Sequence, residues 1–370
     1  MTSSSRGVVA GLAVGACLTW NVANVGAVAD PLAVHYGVSV AAIGLLTTAL
    51  FVTQFAVQFP AGRGADRFGA RSVALAAIAA GVLGNLLLLV DGGLGLALAS
   101  RLVVGIGSGA AFVSGLDLVR AGGGGTALQG LFGGATMAGG GLALVVVPPL
   151  TDATSWRAPY WTGVVLALAA TVPVLAASGL PRVGHAVTWV VADRRLVPLG
   201  ALQAATFGLA VIAGSWVVPL LERQGIGSAG AGLAGGLVLL AGIFARPLGG
   251  LISGRVRPRP VIGAALLTLA AGALLLALGA PFPVSVLGAL LIGVAAGLPF
   301  AMIFAAAQRL RPDAPAGAIA LVNSCAVFVV LVGTPLAGLA FELPSDGRLA
   351  FAAIAAAALA ALVPLRKARL

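Results

Sequence analysis

An all-α membrane protein, with twelve transmembrane helices in two pseudo-symmetric six-helix bundles, is the fold class that the sequence predicts. Three observations predict it. Of 370 residues, 60% are apolar and only 8% charged, whereas soluble domains carry about 25% charge. Twelve apolar stretches are each close to the ~20 helical residues that cross a hydrocarbon core about 30 Å thick. The chain also matches itself at an offset of 188 residues, about half its length. This composition excludes a soluble enzyme, a nucleic-acid binder and a disordered chain. The net charge of +11 does not reverse that, because the charges fall in short clusters between long uncharged stretches.

The stretches run approximately 7–29, 40–61, 72–91, 94–119, 127–150, 159–180, 197–220, 229–251, 260–279, 284–307, 317–341 and 348–365. The first is too long for the apolar core of a cleavable signal and carries Trp20, Asn21 and Asn24 in its middle, so it reads as a retained helix. Later stretches are rich in Ala and Gly. The 54 glycines of the chain allow helix backbones to approach closely, where dispersion holds membrane helices together. Cys17 and Cys325 sit inside apolar stretches without a CxxC or CxxH neighbour and read as packing residues, with no disulfide, metal site or cofactor implied.

Lys and Arg set the orientation. With the N-terminus inside, sixteen of them fall on inner segments and only Arg157, Arg223 and Arg348 on outer ones, where Asp30, Asp91, Asp152, Glu222, Glu342 and Asp346 also lie. The expectation is a cell (inner) membrane protein with both termini cytoplasmic and an even number of spans.

The 188-residue offset aligns Gly62 with Gly250, Arg67 with Arg255, Arg71 with Arg259, Gly105 with Gly293, Gly109 with Gly297 and Phe112 with Phe300. Arginine is scarce here, so its two matches weigh more than those of glycine. The boundaries follow: an N-terminal bundle over 1–180, a cytoplasmic linker over 181–196 and a C-terminal bundle over 197–370. Within the linker, HAVTWVVADRR reads either as a short interfacial helix with Trp189 at the headgroups or as an ordinary polar connection.

Between the second and third stretches, GRGADRFGAR (62–71) resembles the loop signature of the major facilitator superfamily, G-x-x-x-D-R-x-G-x-R, with Gly62, Asp66, Arg67, Gly69 and Arg71 in place. RLVVGIGSGAAF from Arg101 resembles its second signature, and SWRAPYW (155–161) its usual entry into helix six. The resemblance covers the whole chain. It implies a secondary transporter working by alternating access, with a small solute bound between two bundles. It also implies that the loop charges act as a conformational latch, in which Arg67 and Arg71 pair with Asp66 or with Asp117. The opposing reading is that those arginines only enforce topology. Because the equivalent of Asp66 is Gly254, a latch of this kind is asymmetric.

Charges within spans are costly and mark candidate sites. Arg101 lies about seven residues into helix four, deep enough to reach a cavity, or else to pack between helices bonded to carbonyls or to snorkel outward. Arg246 in helix eight aligns with Gln58 in helix two, and its alternative reading is snorkelling to the inner surface. An arginine at both places is the pattern of the nitrate/nitrite porter branch, which this chain resembles in half, since the Gly-Asn signatures of that branch are missing. A guanidinium beside a neutral amide suits a singly charged organic or inorganic anion. Asn21, Asn24, Gln54, Gln203, Thr206 and Asn323 are further candidates for the solute path, or for interhelical hydrogen bonds. Trp20, Phe207, Trp216 and Phe300 read as walls or as packing.

No Asp or Glu lies deep in a span, which weakens the alternative of proton-coupled efflux of drugs or metabolites. A coupling proton or ion is nevertheless compatible with the class. A membrane enzyme would need converging catalytic or metal-binding groups, yet His35 and His185 fall in loops on opposite sides. The partners expected are a small-molecule solute and the lipid bilayer, with no nucleic acid, and the chain is expected to be a monomer.

Overall fold

The computed structural model describes residues 3–181, 193–279 and 281–370. Trp189, His185 and most of HAVTWVVADRR lie outside the described residues. Among the described residues, twelve helical spans are each long and apolar enough to cross a membrane. They are Ser5–Tyr36, Ala42–Phe68, Ala70–Leu89, Gly93–Ala121, Thr126–Ala153, Ala158–Ala176, Val197–Arg223, Ala229–Ile252, Pro258–Ala277, Phe282–Leu310, Pro315–Leu339 and Arg348–Lys367, numbered one to twelve below.

Spans one and two run well past the apolar stretches. Span one continues through a 3-10 turn at Gly26–Val28 into a further helix, Ala29–Tyr36. Span two carries the signature segment as helix as far as Phe68, so most of what reads as a loop in sequence is helical. The break falls on Gly69 alone, at φ 91° and ψ 146°. That backbone conformation is open to glycine and strained for any residue with a Cβ, and the next helix begins at Ala70.

The chain forms two compact units, Met1–Val191 with Arg311–Ala320, and Ala192–Leu310 with Leu321–Leu370. The start of span eleven therefore packs with the first unit, a crossing that the sequence boundaries do not anticipate. In the first unit span four packs on spans two and three, and span six on span three; in the second, span ten packs on spans eight and nine, and span twelve on span nine.

The small residues explain how. Gly105 and Gly109 follow Arg101 at one-turn intervals on one face of span four. A Cβ on Gly109 would stand 2.5 Å from the Gln54 carbonyl oxygen, and one on Gly105 would collide with the Leu50 carbonyl. At the equivalent positions, Gly293 presses against the Val238 carbonyl, and a Cβ on Gly297 would lie 3.0 Å from the Arg246 nitrogen. Leu50 and Val238 are themselves 188 residues apart. The repeat in the sequence is thus a repeat of helix contacts.

Candidate solute and latch sites

Arg101 is completely buried in the first unit, so it does not snorkel. Its Nη2 donates to the Asn21 carbonyl at 2.8 Å and its Nε to the Leu46 carbonyl at 3.3 Å, while Nη1 has no hydrogen-bond partner. Spans one and two are thereby tied to span four through neutral acceptors. Around it, the Asn85 amide donates to Asn21 Oδ1 at 2.7 Å and to the Gly81 carbonyl at 2.8 Å. Asn21 in turn donates to Cys17 O at 3.0 Å, and Asn24 to Pro159 O at 2.6 Å. Both asparagines therefore make the intra- and interhelical bonds that were the alternative to solute contact. Beside them a small cavity is lined by Val14, Cys17, Asn21, Gly107 and Ser108. The Ser108 hydroxyl has no partner.

Sequence reasoning passed over Asn85, Ser108 and Tyr160. Asn85 was detectable as the one amide in the run GNLLLL of span three. Tyr160, fully buried, faces Tyr36 with hydroxyl oxygens 3.5 Å apart. From there a cluster reaches the surface: His35 stacks on Trp156 with ring centres 3.7 Å apart and meets Asp91 Oδ1 at 3.0 Å. Arg157 lies over the Trp156 ring at 4.4 Å.

In the second unit Arg246 is 2% exposed. Its guanidinium carbon lies 4.9 Å from the Phe207 ring centre and 4.5 Å from that of Phe300. Phe207 and Phe300 are thus contacts of a buried cation, and the snorkelling alternative for Arg246 does not hold. Phe207 belongs to a π-helical turn, Ala204–Gly208, inside span seven. Such turns widen the helix locally and recur at functional sites. Gln203 immediately precedes it, 1% exposed, with neither amide atom hydrogen-bonded. Thr206 bonds back to the Leu202 carbonyl at 2.8 Å, and Asn323 is buried in span eleven. Trp216 packs with its Nε1 donating to Thr334 O at 2.9 Å, and Trp20 with its Nε1 on Thr162 Oγ1 at 3.2 Å. In the first unit Gln58 and Gln54 are both buried in span two.

The signature segment takes partners other than those expected. Asp66 is 1% exposed and accepts from the backbone N–H of Ala316 at 2.9 Å and of Gly317 at 2.8 Å. Those amides belong to the first turn of span eleven, which has no intrahelical acceptors for them, and the helix dipole favours an anion there. Gly62 permits the approach, since a Cβ on it would lie 2.9 Å from the Ala316 carbonyl. Asp117 pairs with Arg120 at 2.5 Å rather than with Arg67 or Arg71. Arg71 donates to the Val174 and Leu175 carbonyls, each at 3.0 Å, at the end of span six. Arg67 lies over the Phe68 ring at 5.0 Å.

Among the described residues no three His, Cys, Asp or Glu side chains converge to hold a metal. No curated protein sequence matches this chain. Solved structures do. The human organic anion transporter TETRAN is 18% identical, with a TM-score of 0.75 over 99% of this chain and 100% of that one. The E. coli fucose:proton symporter FucP is 14% identical, with a TM-score of 0.74 over 98% of each chain. The proton:xylose symporter XylE is 12% identical, with a TM-score of 0.76 over 97% of this chain and 94% of that one. At such identities the likeness is one of fold. The model of the Major Facilitator Superfamily, by contrast, matches the sequence twice, over residues 9–202 and 196–369. With twelve apolar spans and a duplicated pattern of contacts already in hand, this match makes the chain a multi-pass membrane protein and a secondary transporter of small solutes, belonging to the Major Facilitator Superfamily.

Proposed function

We propose that the transporter carries a small, singly charged anion, recognised in its second unit by Arg246. One observation carries this reading: the buried guanidinium lies against the rings of Phe207 and Phe300. Rings over a guanidinium leave its in-plane N–H edge as the direction for hydrogen bonds, and a carboxylate or planar oxyanion matches that edge with two parallel bonds. Gln203, one turn from Phe207, offers an uncommitted amide donor and acceptor for a neutral part of the solute. TETRAN is described as an organic anion transporter, which agrees with this class. Arg101 is taken up by backbone carbonyls and is assigned no solute here.

Alternating access is the mechanism proposed, with Asp66 as a latch that caps span eleven in one of the two states. The Lys and Arg asymmetry supports a cell-membrane location with both termini cytoplasmic. The absence of a deep carboxylate from the sequence speaks against a carboxylate-based proton step, and hence against multidrug-type antiport.

Purified protein reconstituted in liposomes, without nucleotide, tests the reading. Carboxylates and inorganic oxyanions should exchange across the bilayer and stabilise the protein in a thermal-shift screen, whereas hydrophobic cations should do neither. Stabilisation by cations alone would overturn the anion assignment, and flux that needs ATP would overturn the transport class.

A further inference from the structure

The first unit contains a charge that its own side chains do not balance. Arg101 is fully buried, is bonded only to two neutral carbonyls, and keeps an unpartnered Nη1. The acids of that unit are committed or distant from burial. Asp66 takes two amides, Asp117 takes Arg120, Asp91 meets His35, Asp313 pairs with Arg311, and Asp30 and Asp152 are exposed. A buried, uncompensated cation is strongly disfavoured, and a charged partner with hydrogen-bonding capacity relieves the penalty.

We propose that Arg101 holds a small inorganic monoanion of the halide class as a resident counter-ion of the first unit. The size follows from the surroundings. Trp20, Leu46, Leu50 and Tyr160, which belong to one packed core, are 7% exposed or less, so an organic carboxylate would have to displace side chains, and a monatomic ion demands the least room. The chemistry follows from the donors. A halide accepts hydrogen bonds from any direction, and Nη1 supplies one donor in a fixed position. Tyr160, in the same packed core as Leu46, whose carbonyl Arg101 holds, supplies a second when the Tyr36 hydroxyl donates to it, which leaves its own O–H free. The site lies wholly within the first unit and is separate from the solute contact at Arg246.

The experiment uses the full-length protein, purified and exchanged into methanesulfonate salts, with chloride or bromide titrated in at constant ionic strength. Wild type should show a saturable rise of a few degrees in Tm, as expected for a ligand that binds the folded state. Arg246→Gln should keep that rise even if its solute flux is lost, so failure of the solute reading and failure of this one are distinguishable. Arg101→Gln should lose it, and Tyr160→Phe should shift the halide midpoint upward about tenfold. A halide response that survives Arg101→Gln, or no response in wild type, overturns the proposal. Should Arg101→Gln not fold, bromide soaked into crystals of wild type decides: anomalous scattering beside Nη1 supports the site, and its absence there sinks it.

Discussion

The two halves of the chain share a packing scheme and a pair of loop arginines, and differ in the charges buried within that scheme. Gly105 and Gly109 have counterparts in Gly293 and Gly297: the first of each pair meets the equivalent carbonyls of Leu50 and Val238, and the second the equivalent side chains of Val57 and Ala245. Against that common frame, Arg246 replaces Gln58, Arg101 replaces Ala289, and Asp66 replaces Gly254. Each buried charge exists in one half only. Duplication therefore preserved what the close approach of helices requires and left the polar groups free to diverge. A two-sided binding chemistry would show matched charges; here one half holds its arginine against carbonyls and the other against aromatic faces.

The sharpest test of that difference is Arg246→Ala. Two charge-assisted hydrogen bonds are worth about 1.5–3 kcal/mol each, so anion flux should fall by about a hundredfold or more while the protein still inserts and purifies. Moving the charge to its counterpart position, as Gln58→Arg with Arg246→Gln, should not restore flux, because nothing in the sequence repeats the aromatic pair at Gln58: the equivalent of Phe207 is Thr19. Recovery in the double variant would mean that the halves are interchangeable in binding and that the comparison fails. Next in size are the glycines. Gly109→Val and Gly297→Val should each lower stability by about 1–3 kcal/mol, the usual cost of overpacking, read as similar losses of Tm. A marked inequality between them would break the structural equivalence itself.

Much of the fold was legible because it rests on composition and spacing. Twelve apolar stretches gave twelve spans, and the register of the repeat was visible in arginines and glycines. Helix ends were less legible, since GRGADRF continues span two although it is polar, and hydropathy registers polarity rather than helix. For the candidate site, Arg246 and Gln203 were visible as polar residues in apolar surroundings, as Asn85 would have been. What no local pattern showed is which partners they take. Asp66 finds the amides of Ala316 and Gly317, some 250 residues away in sequence, and the choice of acceptor for a carboxylate between two arginines is settled by tertiary packing. The π-helical turn at Ala204–Gly208 likewise has no signature in AATFG.

The latch is a smaller effect. Asp66→Asn keeps an acceptor for one amide and removes the charge at the helix terminus, a contribution of about 0.3–1 kcal/mol. The balance of conformations should move by up to about fivefold, measured as a change in cysteine labelling from the two sides of the membrane. Gly254→Asp is the matching gain of charge. Gly254 is exposed, and a surface substitution of this kind shifts stability by no more than about 0.5 kcal/mol, so labelling should stay at the wild-type level. Equal responses from both variants would remove the asymmetry between halves.

The smallest expected effect separates the halves most finely, because it compares two phenylalanines at equivalent positions. Phe112 meets Phe132 edge-on, with ring centres 5.7 Å apart, while Phe300 meets Arg246. Replacing either with Leu keeps an apolar side chain of similar bulk and costs about 1.5 kcal/mol or less in stability. In the second half the ring also holds a cation, a contact worth about 0.5–2 kcal/mol. Phe300→Leu should therefore raise the KM for the transported anion about three- to tenfold by loosening the guanidinium, with little change in Tm beyond that of Phe112→Leu. Phe112→Leu should leave KM where it is. If KM rises equally in both, the ring over Arg246 acts by packing alone, and the aromatic clamp has no part in recognition.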